Sequence, residues 1–212
     1  MSDLFAEERR DERLADGAAL LGGFALAEAD DLLAEVRTIA AAAPFRHMAT
    51  PGGWRMSVAI TNCGAAGWVS DRRGYRYDRL DPKTANRWPA MPAIFRDIAG
   101  RAAAAAGYAG FAPDACLINR YEPGARMSPH QDKDEADFAQ PIVSVSLGLP
   151  ATFLFGGEAR ADKAKRILLR HGDVVVWGGP SRLFFHGVAP LKAGEHPVLG
   201  AARINLTFRK AF

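Results

Sequence analysis

The sequence is short of cysteine, of lysine and of long apolar runs. Its 212 residues include only two cysteines, Cys63 and Cys116, too few for a disulfide framework. Two reduced thiols in a cytoplasmic protein are the simpler interpretation. No apolar run approaches the roughly 18 residues of a membrane span, and residues 1–16 mix acidic and basic side chains, unlike a signal peptide. We therefore expect a cytoplasmic protein with no membrane partner.

Four widespread catalytic motifs do not occur in the sequence. It contains no G-x-G-x-x-G after a predicted strand, no P-loop, no G-x-S-x-G and no H-E-x-x-H. Phosphate binding by a glycine-rich loop, hydrolysis by a serine nucleophile and zinc-dependent proteolysis therefore lack their usual sequence support.

Basic residues slightly outnumber acidic ones, and most of them are arginine. The 27 basic side chains, against 24 acidic ones, give a formal net charge of +3, and 21 of the 27 are arginine. Because arginine suits bidentate recognition of phosphate and carboxylate, this composition favours a polyanionic partner. The base composition of the gene would explain the same excess, so the positions of the arginines matter more than their number.

Apolar spacing predicts one α+β domain over residues 1–212. Apolar residues recur at helical spacing over 28–43 and 92–106, which predicts two helices in an N-terminal part, 1–112. Short apolar runs between glycines and prolines then predict strands of a C-terminal β-sandwich or barrel, 113–212. These runs are 115–121, 142–149, 152–155, 167–170, 173–177, 183–188 and 203–209. No feature indicates oligomerisation, and we expect a monomer.

Residues 62–88 form a basic, aromatic and turn-rich segment. They hold five arginines and one lysine, together with Trp68, Tyr75, Tyr77 and Trp88, but few aliphatic residues. Segments of this composition often cover a binding site from outside.

The segment 128–134 carries the clearest metal signal. In an extended chain, residues two apart point to the same side, so His130 and Asp132 can bind one ion while Gln131 faces away. One imidazole and one carboxylate make up two-thirds of the facial triad of non-haem Fe(II) oxygenases. Among the other histidines, His186 is the one that an apolar strand presents, and it is the predicted third ligand.

Taken alone, His-x-Asp is more often a surface turn than a ligand pair. The acidic run that follows it would also suit a solvated loop. A calcium loop of the EF-hand type is disfavoured because the required glycine is missing.

The C-terminal strand strengthens the metal hypothesis. Alternation places Arg203, Asn205, Thr207 and Arg209 on one face of residues 203–209. Two buried guanidinium groups need an anion, and a dicarboxylate bound to the metal would supply one. An edge strand that shows these arginines to water is the alternative. A second strand, 115–121, similarly offers the amide of Asn119 and the hydroxyl of Tyr121 to the same anion.

These residues closely resemble the AlkB family of Fe(II)/2-oxoglutarate dioxygenases, and its bacterial members above all. The likeness rests on His130-x-Asp132, on a histidine about fifty residues later and on the motif Arg-x-Asn-Leu-Thr-Phe-Arg at 203–209. It extends to the blocks 50–53, 61–64, 88–92, 113–121, 130–135 and 171–179, and so runs nearly end to end.

The resemblance implies a double-stranded β-helix, or jelly roll, formed by residues 113–212. Residues 1–112 would supply supporting helices and a nucleotide-recognition lid at about 45–90. The implied activity is oxidative removal of alkyl groups from DNA bases such as 1-methyladenine and 3-methylcytosine, with Fe(II), 2-oxoglutarate and O2 as cofactors. The implied ligands are His130, Asp132 and His186 for iron, and Arg203, Tyr121, Asn119, Asn205 and Arg209 for 2-oxoglutarate.

The resemblance also assigns residues to an alkylated DNA substrate, single- or double-stranded. By this resemblance, Trp68 would stack on the flipped base and Tyr75 would line the nucleotide channel. Asp134 with Glu135 would read the base edge. Arg160 would lie at the rim of the site, and Thr50 with Trp54 would contact the DNA backbone. Residues 72–87 would hold phosphates. The chain departs from the bacterial members at Trp54, Ile60, Met127 and Pro129, which leaves the lesion spectrum open.

Three alternatives stay open at this point. The same fold could oxidise RNA, a protein or a small molecule, or it could be a DNA-binding module without activity. The intact ligand set and both arginines argue against an inactive DNA-binding module. A cupin-type metal protein is more remote, because the second nearby histidine of such sites is missing.

Overall fold

Short β-branched and aromatic runs, interrupted by glycine and proline, form a protein dominated by antiparallel strands in the computed structural model, which describes residues 9–212. The strands are β1 (Glu12–Ala15), β2 (Ala18–Leu21), β3 (Arg46–Ala49), β4 (Arg55–Gly64), β5 (Gly67–Asp71), β6 (Gly74–Asp78), β7 (Ala115–Tyr121), β8 (Met127–His130), β9 (Ile142–Gly148), β10 (Ala151–Phe155), β11 (Lys165–Leu169), β12 (Val174–Trp177), β13 (His186–Val188) and β14 (Arg203–Arg209). The helices are α1 (Ala29–Ala42) and α2 (Ala93–Ala105), with one 3-10 turn at Gly179–Ser181.

Eight strands form one antiparallel sheet in the order β1-β2-β12-β9-β14-β7-β4-β3. Strand β14 lies inside this sheet, paired with β7 on one side and with β9 on the other. Asn205 therefore lies opposite Asn119 of β7 and Ser146 of β9. Because both edges of β14 are paired and all seven of its residues are buried, its polar face points into the interior. The alternative of an exposed edge strand is wrong.

A four-stranded sheet, β11-β10-β13-β8, lies across the interior from the large sheet. Its β13–β8 pairing places His186 opposite His130. Gly187 makes this pairing possible, since a Cβ atom at that position would lie 2.6 Å from the carbonyl oxygen of Met127. Strands β5 and β6 form a separate two-stranded hairpin, the β5–β6 hairpin.

The two helices cover the outer face of the large sheet. Helix α1 buries Leu32, Leu33, Val36 and Ile39, while α2 buries Phe95 and Ile98, and both pack on apolar side chains of β7, β9, β12 and β14. Helix α2 ends in a Schellman motif. Gly107, at φ +93°, donates to the carbonyl oxygen of Ala104, and Tyr108 donates to that of Ala103.

A second apolar core fills the space between the two sheets. Phe153, Phe155, Ile167 and Leu169 of the small sheet face Trp177 and other apolar residues of the large sheet. The candidate site opens at one end of this inter-sheet space, so rigid strands carry its side chains.

The predicted helices are confirmed to within one residue at each end, and the predicted strands at 115–121 and 203–209 have the observed bounds. The description of the N-terminal half as mainly helical was incomplete, because β1 to β6 all lie before residue 113. The predicted strand at 183–188 is shorter than expected, since only His186–Val188 pairs. Neither helix of residues 9–212 has the length and apolarity to span a bilayer.

Candidate active site

Three side chains, two on strands β8 and β13 and one just after β8, converge on one point. The ligand atoms of His130, Asp132 and His186 lie within 4.8 Å of one another. The Nε2 atom of His130 is 3.5 Å from Oδ1 of Asp132, and Nε2 of His186 is 3.4 Å from Oδ2. The structure thus brings together the three residues that the sequence predicted as metal ligands, including the distant His186.

Backbone carbonyls orient both imidazole rings. Nδ1 of His130 lies 2.9 Å from the carbonyl oxygen of Ser128, and Nδ1 of His186 lies 3.0 Å from that of Phe184. A proton on each Nδ1 leaves the Nε2 lone pairs directed at the common point. Outer hydrogen bonds of this type fix the tautomer of histidine ligands in metal sites.

Burial and charge keep Asp132 and His186 in the protonation states that bind a metal, whereas His130 must release a proton to do so. Burial would raise the pKa of Asp132, but Arg209 and His186 outweigh it and hold that pKa well below its ordinary value. Burial lowers the pKa of His186, which favours a neutral ring. For His130, burial opposes the charged form, but the hydrogen bond with Asp132 dominates and raises the pKa. Two imidazoles and one carboxylate with open positions are the ligand set of non-haem Fe(II) oxygenases.

Arg203 is buried in the wall of the same cavity. Its side chain is 1% exposed and its guanidinium carbon lies 4.9 Å from the ring centroid of Tyr121. Nη2 donates to Ser146 Oγ at 3.0 Å, but Nε and Nη1 have no hydrogen-bond partner among residues 9–212. Burial lowers the pKa of Arg203, yet guanidinium stays charged in proteins. A buried cation with two free donors is costly unless it meets an anion, and a carboxylate matches its fork.

Arg209 lines the cavity but is already paired with acidic groups. Its Nη2 lies 2.7 Å from Oδ2 of Asp132, and its Nη1 donates to Oε1 of Glu135 at 3.1 Å. Only its Nε lacks a partner among the described residues. Arg209 is therefore placed beside the predicted metal, as a counterion to Asp132.

Amide and hydroxyl groups form the polar wall between these two arginines. Asn119 donates to Oδ1 of Asn205 at 3.3 Å, and Thr207 donates to the same oxygen at 2.9 Å. Asn205 in turn donates to Ser144 Oγ at 2.8 Å. Oδ1 of Asn119 is buried without a partner in the described chain and remains available to a ligand.

A cavity of about 700 Å³ connects the metal residues to the surface. The predicted site residues that line it are Thr50, Trp68, Tyr75, Asn119, Tyr121, His130, Asp132, Asp134, Arg160, His186, Arg203, Asn205 and Arg209. Three of the four positions at which the chain departs from bacterial members, Ile60, Met127 and Pro129, line it as well. Its volume suits a ligand larger than a small dicarboxylate alone.

The β5–β6 hairpin supplies an aromatic wall at the mouth. The rings of Trp68 and Tyr75 stack with centroids 5.5 Å apart and an interplanar angle of 13°. Trp68 Nε1 donates to Oδ2 of Asp134 at 2.7 Å, which fixes the indole orientation. The hairpin thus presents two flat apolar rings beside the metal residues, and Asp134 adds a carboxylate next to them.

Two predicted substrate residues lie outside the cavity lining. The Glu135 carboxylate is fully buried and is held by Tyr77, Arg182 and Arg209, so the assignment of Glu135 to the base edge is not supported. Its neighbour Asp134 does face the cavity. Trp54 is 79% exposed on the β3–β4 turn, near Thr50 but beyond the lining residues.

The basic segment at 72–87 is partly neutralised by its own acids. Arg76 makes two hydrogen bonds of 3.0 Å to the carboxylate of Asp71, and Arg73 donates to that group at 3.3 Å. The cavity mouth instead has a set of exposed basic side chains from several elements, which sequence reasoning missed: Arg55, Arg126 and Lys133, beside the predicted Arg160.

Sequence reasoning also missed Arg182 and Trp177. Arg182 is 3% exposed and donates to the backbone oxygen of Asp132 at 2.8 Å. Trp177 lines the cavity, with its ring centroid 4.9 Å from that of His186 and its buried Nε1 without a partner in the described residues. Both lie in or next to apolar runs and carry no motif, so only the fold reveals them.

Comparison with known proteins agrees with this geometry. The profile of the 2OG-Fe(II) oxygenase superfamily matches residues 17–209. The chain is 60% identical over 212 residues, 100% of its length and 98% of the relative's, to the alpha-ketoglutarate-dependent dioxygenase AlkB of Salmonella typhimurium. Among solved structures, that of OsALKBH1 superposes with a TM-score of 0.84 at 30% identity, covering 95% of this chain and 100% of the other.

Two shorter matches carry names that specify substrates. The Arabidopsis thaliana DNA N(6)-methyladenine demethylase ALKBH1D is 40% identical over 108 residues, which is 46% of this chain and 24% of that protein. The tRNA demethylase abh1 of Schizosaccharomyces pombe is 38% identical over 84 residues, which is 40% of this chain and 28% of that protein.

Proposed function

The chain belongs to the AlkB family of the 2OG-Fe(II) oxygenase superfamily, and on that premise we propose that it oxidatively removes alkyl groups from N-alkylated DNA bases in the repair of alkylation damage. One observation carries the proposal. A complete His130–Asp132–His186 ligand set shares one cavity with a buried arginine that has two free donors. Metal ligands and an anion anchor in one cavity are what a metal-bound oxo acid requires.

The residues present fit Fe(II) and 2-oxoglutarate. His130, Asp132 and His186 would hold the metal, and Arg203 would hold the far carboxylate of the co-substrate with help from Tyr121, Asn119 and Asn205. When bound, Fe(II), 2-oxoglutarate and O2 supply the oxidation: the oxo acid loses CO2 to give succinate, and an N-methyl group is hydroxylated and lost as formaldehyde. The polypeptide supplies the position and charge of each partner.

Trp68, Tyr75 and Asp134 would receive the damaged base. Methylation at N1 of adenine or N3 of cytosine blocks pairing and leaves a cationic ring, so extrusion from a duplex costs less than for an intact base. A cationic ring on the Trp68 indole gains about 2 kcal/mol when it is desolvated. Asp134, held by Trp68 Nε1 at 2.7 Å, adds a negative charge near the exocyclic amine.

The basic side chains at the cavity mouth would contact the phosphates. Arg55, Arg126, Lys133 and Arg160 are exposed and surround the opening. Trp54 and Thr50 would contact the same backbone from the β3–β4 turn. Contacts of this kind bind nucleic acid without sequence preference and weaken with salt.

We also infer the finer organisation of the protein. The two facing sheets support a jelly-roll core, and the shared eight-stranded sheet supports a single domain over 1–212, because strands from both halves pair in it. The β5–β6 hairpin falls within the proposed recognition lid at about 45–90. Cys63 and Cys116 are register neighbours on β4 and β7 and remain free thiols, which supports a cytoplasmic location. We propose a monomer.

The direct test is a demethylation assay. Protein, Fe(II) and 2-oxoglutarate are incubated with an oligonucleotide that contains 3-methylcytosine, and formaldehyde, succinate and restored cytosine are measured. The wild type should release formaldehyde and restored base in equal amounts, and H130A, folded by circular dichroism, should not. H47A, which changes an exposed histidine on β3, is the matched control and should keep wild-type turnover. Equal turnover by H130A would refute the ligand assignment.

Methylated RNA is the second candidate substrate. The match to a tRNA demethylase favours including it. The assay is therefore repeated with RNA of the same sequence and with the free nucleoside. Faster turnover of DNA supports the proposal, whereas turnover confined to RNA or to the nucleoside contradicts it.

A further inference from the structure

A buried chain of polar contacts joins the β5–β6 hairpin to the metal ligand Asp132. Tyr77, on β6, donates its hydroxyl proton to Oε1 of Glu135 at 2.6 Å. Arg209 donates to that same oxygen at 3.1 Å, and its other terminal nitrogen lies 2.7 Å from Oδ2 of Asp132. Three contacts therefore link a hairpin side chain to a carboxylate of the metal cluster.

Arg182 also binds the segment that carries Asp132 and Glu135. It donates from Nη2 to Oε2 of Glu135 at 3.0 Å and from Nη1 to the backbone oxygen of Asp132 at 2.8 Å. Its Nε donates to the carbonyl oxygen of Gln140 at 3.0 Å. Both oxygens of Glu135 are thus bound by cations, and the backbone at Asp132 is fixed as well as its side chain.

The segment 130–135 divides its side chains between two tasks. His130 and Asp132 face the metal position, whereas Asp134 and Glu135 hold the hairpin. The two hairpin partners, Trp68 and Tyr77, lie directly opposite each other in the β5–β6 register. The hairpin is therefore held to the metal segment at one cross-strand pair, whose two side chains share one face of the hairpin.

The charges explain why Glu135 must be an acid. Arg209 and Arg182 are both buried beside Asp132, and without a second carboxylate Arg209 would be balanced by Asp132 alone. Glu135 neutralises part of the positive charge of Arg209. The electron density of Asp132 therefore remains available to a metal ion. Removal of the Tyr77 hydroxyl from water raises the pKa of Tyr77, so the phenol remains a donor.

We propose that Tyr77, Glu135 and Arg209 form a relay that positions Asp132 and joins it to the base-stacking hairpin. Tyr77 and Glu135 are positioning residues in this arrangement. An ion at the metal site fixes the position of Asp132, and through the relay it also restricts the motion of the hairpin. A base bound on Trp68 and Tyr75 restricts the hairpin, and through the same relay it fixes Asp132. Metal and nucleic acid therefore strengthen each other's binding, by the same factor in both directions. The part that concerns nucleic acid rests on the function proposed above.

The first measurement uses Co(II) alone, without nucleic acid or turnover. Titration followed by the visible ligand-field bands should show about tenfold weaker Co(II) binding to E135Q than to the wild type, with altered bands. D81N neutralises another buried carboxylate, which is paired with Arg46, and should bind Co(II) as the wild type does. If E135Q does not fold, E135D keeps the charge with a shorter reach and should show a smaller loss. Wild-type affinity and bands in the folded Glu135 variant would overturn the proposal.

The second measurement tests the link to the hairpin. The affinity of the wild type for a 3-methylcytosine oligonucleotide should rise about fivefold or more when Co(II) and 2-oxoglutarate are added. In Y77F the ratio of the affinity with Co(II) and 2-oxoglutarate to the affinity without them should approach one. Y108F also removes a tyrosine hydroxyl that donates one hydrogen bond, to the carbonyl oxygen of Gly17 at 2.8 Å, and should keep the wild-type ratio. A ratio in Y77F equal to that of the wild type, or a wild-type ratio of one, would overturn the coupling.

Failure of the relay and failure of the proposed function give different results. A wild-type enzyme that binds the oligonucleotide but releases no formaldehyde contradicts the proposed function and leaves the Co(II) titration interpretable. Normal demethylation with an unchanged Co(II) affinity in E135Q contradicts the relay only.

Discussion

Trp68 and Tyr75 lie with their rings nearly parallel, 13° apart in plane and 5.5 Å between centroids, at the mouth of the cavity that holds the metal residues. The two residues are on paired strands of one hairpin, and Trp68 is further fixed by its bond to Asp134. A rigid aromatic surface therefore exists before any base arrives, which lowers the entropy cost of stacking.

The first prediction concerns this surface. Base–aromatic stacking contributes about 1–3 kcal/mol per base, so W68A should raise the KM for a methylated oligonucleotide by about tenfold or more. W68F keeps an aromatic ring but loses the hydrogen bond to Asp134, so its KM should lie between those of the wild type and W68A. Steady-state kinetics on 3-methylcytosine DNA measure both variants. An unchanged KM in W68A would show that the base binds elsewhere.

The second prediction concerns Arg203 and has two parts with opposite signs. R203M should weaken 2-oxoglutarate binding by about a hundredfold or more, because loss of one partner of a buried ion pair costs about 3–5 kcal/mol. Without 2-oxoglutarate, however, R203M should be about as stable as the wild type or more stable by about 1–4 kcal/mol, since a buried cation with two free donors disappears.

Urea unfolding with and without 2-oxoglutarate measures both parts of this prediction. The co-substrate should stabilise the wild type and should have no effect on R203M at the same concentration. Stabilisation of R203M by the co-substrate would show that another group anchors its far carboxylate.

The third prediction is a pH dependence of stability that originates outside the active site. His171 accepts a hydrogen bond from the backbone of Gly148 at Nδ1, at 2.9 Å, and its ring lies 4.5 Å from that of His196. Burial, His196 and Arg9 lower the pKa of His171 below its ordinary value of 6.5. The unfolded chain therefore binds the proton more readily, so stability is complete above pH 6.5 and falls as the pH decreases through the folded pKa.

The variant H171N tests this sign, because the asparagine oxygen can accept the same backbone hydrogen without titrating. The free energy of unfolding should fall less between pH 7.5 and 5.5 in H171N than in the wild type, as measured by urea denaturation. H47N, at an exposed histidine, should keep the wild-type slope. Equal slopes in the wild type and H171N would contradict the prediction.

The fourth prediction concerns the helix–sheet core. Phe95 of α2 is fully buried and meets Phe208 of β14 edge to face, with centroids 5.7 Å apart at 86°. F95A should lose about 3–5 kcal/mol of unfolding free energy, because it removes the contact and leaves a cavity. L168A, at a side chain that is 48% exposed, should lose about 0.5 kcal/mol or less. Denaturation midpoints of F95A and L168A measure these two losses of stability. Similar losses in both variants would mean that α2 packs more loosely than described.

Local sequence signals were enough for some elements and not for others. Strand β14 was predicted with its observed bounds because its polar and apolar residues alternate without interruption. Strands β1 and β2 were missed, since each has only four residues. Strand β2 depends on pairing with β12, more than 150 positions away in the chain, and β1 pairs with β2. Strands β5 and β6 were missed because residues 62–88 were interpreted from their charge and aromatic content alone.

The same contrast holds inside the site. The metal triad was predicted because two ligands are two residues apart and a strand presents the third. Glu135 was assigned to the base edge because nothing local distinguishes it from Asp134. Its inward direction depends on Arg182, 47 positions later, and on Tyr77, 58 positions earlier. A buried acid is determined by its cationic partners, and those are a property of the tertiary fold.

The interior position of β14 has a consequence for synthesis on the ribosome. Strands β7 and β9 emerge first but are not paired with each other, because the strand between them is Arg203–Arg209, which follows β9 by more than 50 residues. Until that stretch leaves the exit tunnel, the edges of both strands stay open and the pocket lacks Arg203 and Arg209. A nascent chain would therefore expose both strand edges to aggregation until β14 has emerged, and the cofactor site would be complete only from that point.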